Sequence, residues 1–517
     1  MSTPANSQRP TGATAPLSRE AQPLLRRLYS AAQGRALDAA ACRMAGECGV
    51  MHRAATCAFD EARQRWAHAR RWVVVCGSGN NAGDGYVVAT LAQRAGLSVA
   101  VWSLVPAASL TGEAAQAVAL AKAARVSFEA GAGALADADL IIDALLGTGV
   151  RGHVEGEYRA AIEAINAASA PVLALDLPSG LQCDTGMGHP SVKADVTVTF
   201  ITRKLGLYTG TGPDAAGEVV FAGLDVDEQC RAHTAWSGWV LHDSDRARHL
   251  PARRPSTHKG HCGQLLIIGG QQGFGGSTIL CAEAAARVGA GKVSLATDAV
   301  HIAPALVRCP EVMVHGVRNA HDISALLVQA DRVAIGPGLG QHAWGEGLFD
   351  AVLAHQRPCL IDADALHLLK RMASGERRDD WVLTPHPGEA AMLLDCSAAD
   401  IQADRLGAAR ALWQAWGGVV VLKGNGTLII GGDTPQQLAL CPYGNPGMAS
   451  GGMGDVLGGM IAGLWAQGLS AFDAASVGVL VHAQAADDAA REHGQRGLLA
   501  SDLARYAQRR VNPEATG

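Results

Sequence analysis

One rhythm constrains this chain more than any other feature: short apolar runs alternating with alanine-rich stretches of helical period, first between Trp72 and Val226 and again from Gln264 onward. In the first series the runs are Trp72 to Cys76, Ser98 to Leu104, Leu140 to Leu146, Pro171 to Leu177 and Val196 to Phe200. In the second they are Gln264 to Ile268, Val293 to Ala296, Arg332 to Ile335, Pro358 to Asp362, Trp381 to Thr384 and Val419 to Ile430. Strands that alternate with helices form mostly parallel sheets covered on both faces. A chain of 517 residues exceeds a single hydrophobic core. The sequence therefore predicts an α/β protein of two domains, with a tail over residues 1–18, a first domain over 19–234 and a second over 235–517. The irregular stretch Asp227 to His261 holds the boundary, near Ala235. No repeat relates the two halves, so each is read as a different fold with its own chemistry.

Composition closes off several function classes. Hydrophobic residues make up 48% and charged residues 18%, enough apolar material for two cores. A net charge of -5 supplies no basic field for nucleic acid or anionic membrane, so any phosphate site must be local. No apolar run approaches the ~20 residues of a membrane helix. The twelve cysteines are scattered, with neither zinc-ligand spacing nor a disulfide framework. Met1 to Ser18 lacks a signal-peptide pattern and reads as a loose tail. The reading is a cytoplasmic protein with small-molecule partners, no nucleic acid and no membrane, assembled as a homo-oligomer.

Ligands of open parallel sheets bind beyond the carboxyl ends of the strands. After Cys76 comes Gly77-Ser78-Gly79-Asn80-Asn81-Ala82-Gly83-Asp84-Gly85. Gly77, Gly79 and Ala82 satisfy a dinucleotide fingerprint superficially, but the Val99 to Leu104 strand ends without the acid that would hold a ribose. Asn and Asp commonly stabilise tight turns. Two further strand ends outweigh that bland reading: Asp143 with Gly147-Thr148-Gly149-Val150-Arg151-Gly152-His153, and Asp176-Leu177-Pro178-Ser179-Gly180.

These three motifs, in this order, resemble NAD(P)H-hydrate epimerase over roughly Leu28 to Asp225. The resemblance implies that Asn80, Asn81, Ala82, Gly83, Asp84, Gly147, Thr148, Gly149, Val150, Arg151, Gly152, His153 and Tyr158 line a hydrate site. It implies that Asp176 faces the reacting ring as the catalytic group, and that Asn81, Asp143 and Ser179 hold K⁺. Oxygen-rich groups suit such a hard cation, and epimerisation of a hemiaminal carbon needs proton transfer. Ala82 departs from the family's usual glycine.

In the second half, Asn445-Pro446-Gly447-Met448-Ala449-Ser450-Gly451-Gly452-Met453-Gly454-Asp455 runs into the apolar stretch Val456 to Leu464. Free amides of a glycine-rich turn at a helix N-terminus receive anions, and the helix dipole assists. Asp455 in that turn can accept the proton of a hydroxyl attacking phosphorus; simple N-capping would not explain so many glycines. Gly289-Ala290-Gly291-Lys292 is no Walker loop, because Val293 stands where Ser or Thr is required.

Together with Gly336 to Gly340, Asp362 to Asp364, Thr384 to Glu389 and Lys423 to Thr427, this motif resembles the ribokinase-like fold, and more narrowly ADP- or ATP-dependent NAD(P)H-hydrate dehydratase, over roughly Val240 to Gln508. The resemblance implies a Rossmann-like αβα sandwich followed by a ribokinase-like αβα domain. Gly276, Gly338, His386 and the catalytic Asp455 would contact the hydrate, and Lys423, Gly424, Asn425, Gly426, Thr427 and Gly454 the nucleotide. The nucleotide is usually ADP in bacterial members, with Mg²⁺ beside its phosphates. The implied function is repair of NADHX and NADPHX: epimerisation of the R and S hydrates and dehydration of the S form at the expense of ADP, giving AMP and phosphate. Met453 stands where threonine is usual, and Gly276 and Cys262 replace commoner alanine and aromatic residues. The competing reading is a ribokinase-like small-molecule kinase with a nucleotide-sensing N-terminal domain. A third, an interaction module in the first half, is disfavoured by Asp84, Asp143 and Asp176 and by the absent basic field.

Overall fold

The computed structural model describes residues 24–512 except 46, 130, 373–374 and 433–436; the tail expected at 1–18 lies outside them. Both expected α/β units are present. The first sheet is parallel throughout, with strands in the order Ser127–Glu129, Ser98–Ser103, Arg71–Cys76, Leu140–Ala144, Val172–Leu175, Val196–Phe200 and Glu218–Ala222. Its central strands are buried along their whole lengths, which is why they read as unbroken apolar runs. The chain builds outward from Arg71–Cys76 and then returns to place Leu140–Ala144 on the other side. That reversal opens a crevice between the two strand ends.

The second sheet repeats the device. From Gln264–Ile268 the sheet grows to one side through Lys292–Thr297 and Met313–Gly316, and to the other through Arg332–Ile335, Cys359–Ile361, Trp381–Leu383 and Val419–Leu422, all parallel. The reversal falls between Gln264–Ile268 and Arg332–Ile335. The single strand expected over Val419 to Ile430 is instead a hairpin. Val419–Leu422 pairs antiparallel with Thr427–Gly431, and Lys423 to Gly426 form the turn, with Gly424 at φ 140° and Gly426 at φ 69°. Two positive-φ glycines break a run that hydrophobicity alone reads as continuous.

The boundary is less simple than a linker. Gly238–Val240, beside the expected junction at Ala235, pairs parallel with Leu438–Cys441 and antiparallel with Arg27–Tyr29, and Arg27–Tyr29 pairs with Arg203–Lys204. Residues from the first domain thus complete the sheet of the second, making it twelve strands wide. A partition at 234/235 therefore cuts through one sheet. Among the described residues, eleven cysteines stand outside any disulfide and no helix is long and apolar enough to cross a membrane.

Candidate active sites

The first crevice is a cavity of about 650 Å³, lined by Asn80, Asn81, Asp84, Gly147 to Arg151, Tyr158 and Asp176 among others. Gly79 is the N-cap of the helix Asn80–Arg94 and no side chain caps it, so neither asparagine serves as a turn stabiliser. The strand-end Gly77 has no room for a side chain: a Cβ would lie 2.1 Å from the Leu145 carbonyl oxygen. Ala82 is fully buried within the helix and has no positive φ, so alanine there costs nothing. Gly83 also faces inward, where a Cβ would meet Met51 at 2.5 Å. Ala82, Gly83, Gly152 and His153 lie outside the cavity lining.

Asp176 follows the strand Val172–Leu175 in a left-handed conformation, φ 66°. Its Oδ1 accepts from Phe200 N at 3.1 Å and forms an ion pair with Lys204 Nζ, which also donates to Phe200 O at 2.8 Å and Thr199 Oγ1 at 3.0 Å. Lys204 and Asp38, both lining the cavity, escaped the sequence reading. Asp38 sits in the helix Ala31–Ala45, remote in sequence from every motif, and Lys204 lies in the two-residue strand Arg203–Lys204, outside every motif. Burial pushes the Asp38 carboxyl up to about 6, with the Asp176 charge adding to it and Lys204 opposing. Burial and then the charges of Asp176 and Asp38 hold Asp84 well above the usual carboxylate range.

Behind the cavity, Asp143, Ser179 and Asn81 meet around Leu146. Ser179 donates from N to Asp143 Oδ2 at 2.7 Å and from Oγ to Oδ1 at 2.6 Å, while Asn81 Nδ2 donates to Leu146 O at 2.9 Å. Asn81 Oδ1 is buried without a hydrogen-bond partner. Burial raises the Asp143 carboxyl to about 6 despite the Ser179 and Leu145 donors.

In the second unit, the helix Met453–Ala466 starts at Gly452, φ 89°, without a side-chain cap. Asp455 therefore does not cap the helix, and the first-turn amides are left for another acceptor. Burial raises Asp455 to about 6, reinforced by Asp362 and opposed by a hydrogen bond from Ser277 and by Lys423. Lys423 Nζ lies 2.9 Å from Asp362 Oδ1 and 3.6 Å from Glu389 Oε2. Burial by itself would depress the lysine, but these carboxylates outweigh it and raise its pKa.

Gly454 belongs to this cluster, since a Cβ on it would lie 3.4 Å from Lys423 Nζ. His386 caps the helix Pro387–Leu394: its Nδ1 accepts from Gly388 N at 3.0 Å and Glu389 N at 3.2 Å. Gly338, φ 57°, packs where a Cβ would stand 2.5 Å from Phe274 O, whereas Gly276 has nothing within 4 Å of a Cβ. Gly424 and Asn425 are exposed, Gly426 is buried and Thr427 intermediate. Asp362 and Glu389 lie in loops the sequence singles out without assigning them a role, and the buried His482, lowered to about 4 by desolvation, was not expected there. Gly291 in the false Walker run is structural: a Cβ would lie 1.9 Å from Lys259 O.

Two folds, each gathering buried acids beyond the carboxyl ends of its parallel strands, define a bifunctional enzyme. Residues 265–509 match the family model described as NAD(P)H-hydrate dehydratase, and residues 47–206 match that of the YjeF-related protein N-terminus. The bifunctional NAD(P)H-hydrate repair enzyme of Coxiella burnetii is 44% identical, the match covering 94% of this chain and 99% of that one. That of Escherichia coli K12 is 44% identical over 90% of both chains. A solved ADP/ATP-dependent NAD(P)H-hydrate dehydratase of Bacillus subtilis, co-crystallised with ATP/Mg²⁺, is 29% identical with a TM-score of 0.46, covering 52% of this chain and 96% of that one. The chain belongs to the family of bifunctional NAD(P)H-hydrate repair enzymes.

Proposed function

We propose that the first site interconverts the R and S hydrates of NADH and NADPH, and that the second dehydrates the S form using ADP. The separation of two unlike acid centres supports this reading most directly: Asp176 paired with Lys204 in one, and Asp455 at an uncapped helix start in the other. The first cavity holds the Asp176–Lys204 pair together with two acids raised above their ordinary range, Asp38 and Asp84. Raised acids in a substrate cavity suit proton donation. Asp176 is the group assigned to the proton at the reacting ring, with Asp38 and Asp84 as the acids.

K⁺ fits Asn81, Asp143 and Ser179, because Asn81 Oδ1 is an orphaned buried acceptor and a cation would offset the burial of the Asp143 charge. When bound, it would fix the loop after Ala144 against the hydrate.

In the second site Asp455 takes the proton of the C6 hydroxyl as its oxygen attacks the terminal phosphorus of ADP, and AMP leaves. Loss of phosphate from C6 and of a proton from the adjacent carbon restores the double bond, so hydrate plus ADP give NAD(P)H, AMP and phosphate. The helix amides receive phosphate oxygens, with Gly454 and Lys423 beside them and the loop Lys423 to Thr427 against the nucleotide. Gly338, His386 and Gly276 are assigned to the hydrate. Mg²⁺, which usually binds through phosphates, water and one or two carboxylates, would neutralise phosphate charge with Asp362 and Glu389 as its protein ligands. The reading includes a cytoplasmic homo-oligomer, checked by fractionation and light scattering.

The decisive experiment mixes the protein with racemic NADH hydrate, K⁺, Mg²⁺ and ADP and follows absorbance at 340 nm, with ATP and no-nucleotide controls. Full conversion is expected. A stop near half would leave the epimerase unsupported, and no conversion with a stable phosphorylated product would favour a small-molecule kinase.

A further inference from the structure

The turn between Val419–Leu422 and Thr427–Gly431 belongs by sequence to the second domain, yet its support comes from both. Arg405, 1% exposed, lies under it without a carboxylate partner among the described residues. Its Nη2 donates to the carbonyls of Leu422 and Lys423, both at 3.2 Å, and of Gly426 at 3.5 Å. Its Nε donates to Thr209 Oγ1 at 3.0 Å. Thr209, 0% exposed, is a residue of the first domain, and its hydroxyl is placed to donate in turn to Gly426 O or Asn425 O, each 3.4 Å away. Asn425 Nδ2 reaches the Gly210 carbonyl at 3.4 Å. At Gly426 the two domains touch so closely that a Cβ would stand 1.8 Å from Tyr208 O.

The arrangement is stiff. Arg405 delivers its donors as a planar fork, Nη2 into backbone carbonyls, Nη1 to Gln402 Oε1 at 3.0 Å and Nε to Thr209, and desolvation lowers its pKa to about 10. Removing the one acceptor that comes from outside the second domain would leave Arg405 Nε unpaired in a dry place and free the fork to tilt. The segment that supplies Thr209 also supplies Lys204 to the first cavity, and Lys204, Leu205, Leu207 and Thr209 are all buried.

We infer that the first domain forms part of the second domain's nucleotide site: Thr209 is a positioning residue that, through Arg405, sets the turn Lys423 to Thr427 against the adenine nucleotide. The inference rests on the assignment of that turn to nucleotide contact. The loop's polar, exposed residues Gly424 and Asn425 are then presented by a hydrogen-bonded bracket that neither domain completes alone.

The test uses the full-length enzyme. Hydrogen exchange over the turn, with and without Mg-ADP, checks the assignment: protection by the nucleotide is expected, and its absence in the wild type would overturn the assignment. Thr209→Val is close in shape and lacks the hydroxyl, while Thr209→Ser retains it. Thr209→Val is expected to raise KM for ADP about 3- to 10-fold with dehydration kcat and the epimerisation rate within about twofold, and Thr209→Ser to restore KM. Should Thr209→Val fail to fold, as judged by circular dichroism, Arg405→Lys carries the same expectation. An ADP-protected turn combined with an unchanged KM in these variants would overturn the bracket, as would equal losses of kcat and of epimerisation.

Discussion

Lys423 Nζ stands 2.9 Å from Asp362 Oδ1 and 3.6 Å from Glu389 Oε2, so the lysine of the proposed nucleotide turn is paired with two carboxylates of the protein itself. Asp455 feels the same group from the other side: Lys423 lowers its pKa while burial and Asp362 raise it to about 6. A base with a pKa near 6 is ionised at neutral pH. Dehydration kcat/KM should therefore lose a factor of about ten per pH unit below about 6. Lys423→Met removes an opposing cation and should move that limb upward; a limb that stays in place in a pH–rate profile would separate Asp455 from the proton.

Each activity should be removable alone. Asp176→Ala is expected to cut epimerisation by about 10²- to 10⁴-fold and spare dehydration of the S hydrate, and Asp455→Ala to do the reverse. Separate assays on resolved epimers read both, and parallel loss in a folded variant would argue against two independent centres.

In the proposed K⁺ site, Asp143 would link ion binding to stability. Burial raises its carboxyl to about 6 from 3.8, so the folded state holds the proton more tightly than the unfolded chain. Its contribution is complete below about pH 4 and is lost as the pH climbs through 6. K⁺ bound to the carboxylate opposes that loss. At ten times its dissociation constant K⁺ should add about 1.4 kcal/mol at neutral pH and little at pH 4. Melting temperatures in K⁺ against choline check this, and Asp143→Asn should abolish the difference.

Two glycines should respond in opposite ways. Gly276 lies in the helix Gly275–Arg287 with open space around a Cβ, so Gly276→Ala should stabilise by about 0.5–1 kcal/mol. At Gly77, a Cβ 2.1 Å from a backbone oxygen forces the turn to move, and Gly77→Ala should cost about 1–3 kcal/mol and depress epimerisation. Denaturant unfolding reads both, and a raised KM for the hydrate in Gly276→Ala would support its assignment to substrate contact.

The sequence by itself determined the class of fold, because both sheets are buried on two faces and their strands read as apolar runs; Val196–Phe200 and Gln264–Ile268 fall where that pattern predicts. It also pointed to Asn81, Asp143, Ser179, Asp176 and Gly454 beside Asp455, since strand ends and helix starts are local signals that contiguous glycines and acids reveal. Only the tertiary structure decided the rest. Asp38 and Lys204 join the first cavity from separate elements, and no local period distinguishes them from surface charges. Arg27–Tyr29 pairs with Gly238–Val240, about two hundred residues later, and Arg405 finds an acceptor in Thr209 across the domain boundary. The reason is physical: apolar periodicity records which face of an element is buried, whereas the partner of a buried charge or of an edge strand is set by chain segments that meet only after both sheets have folded.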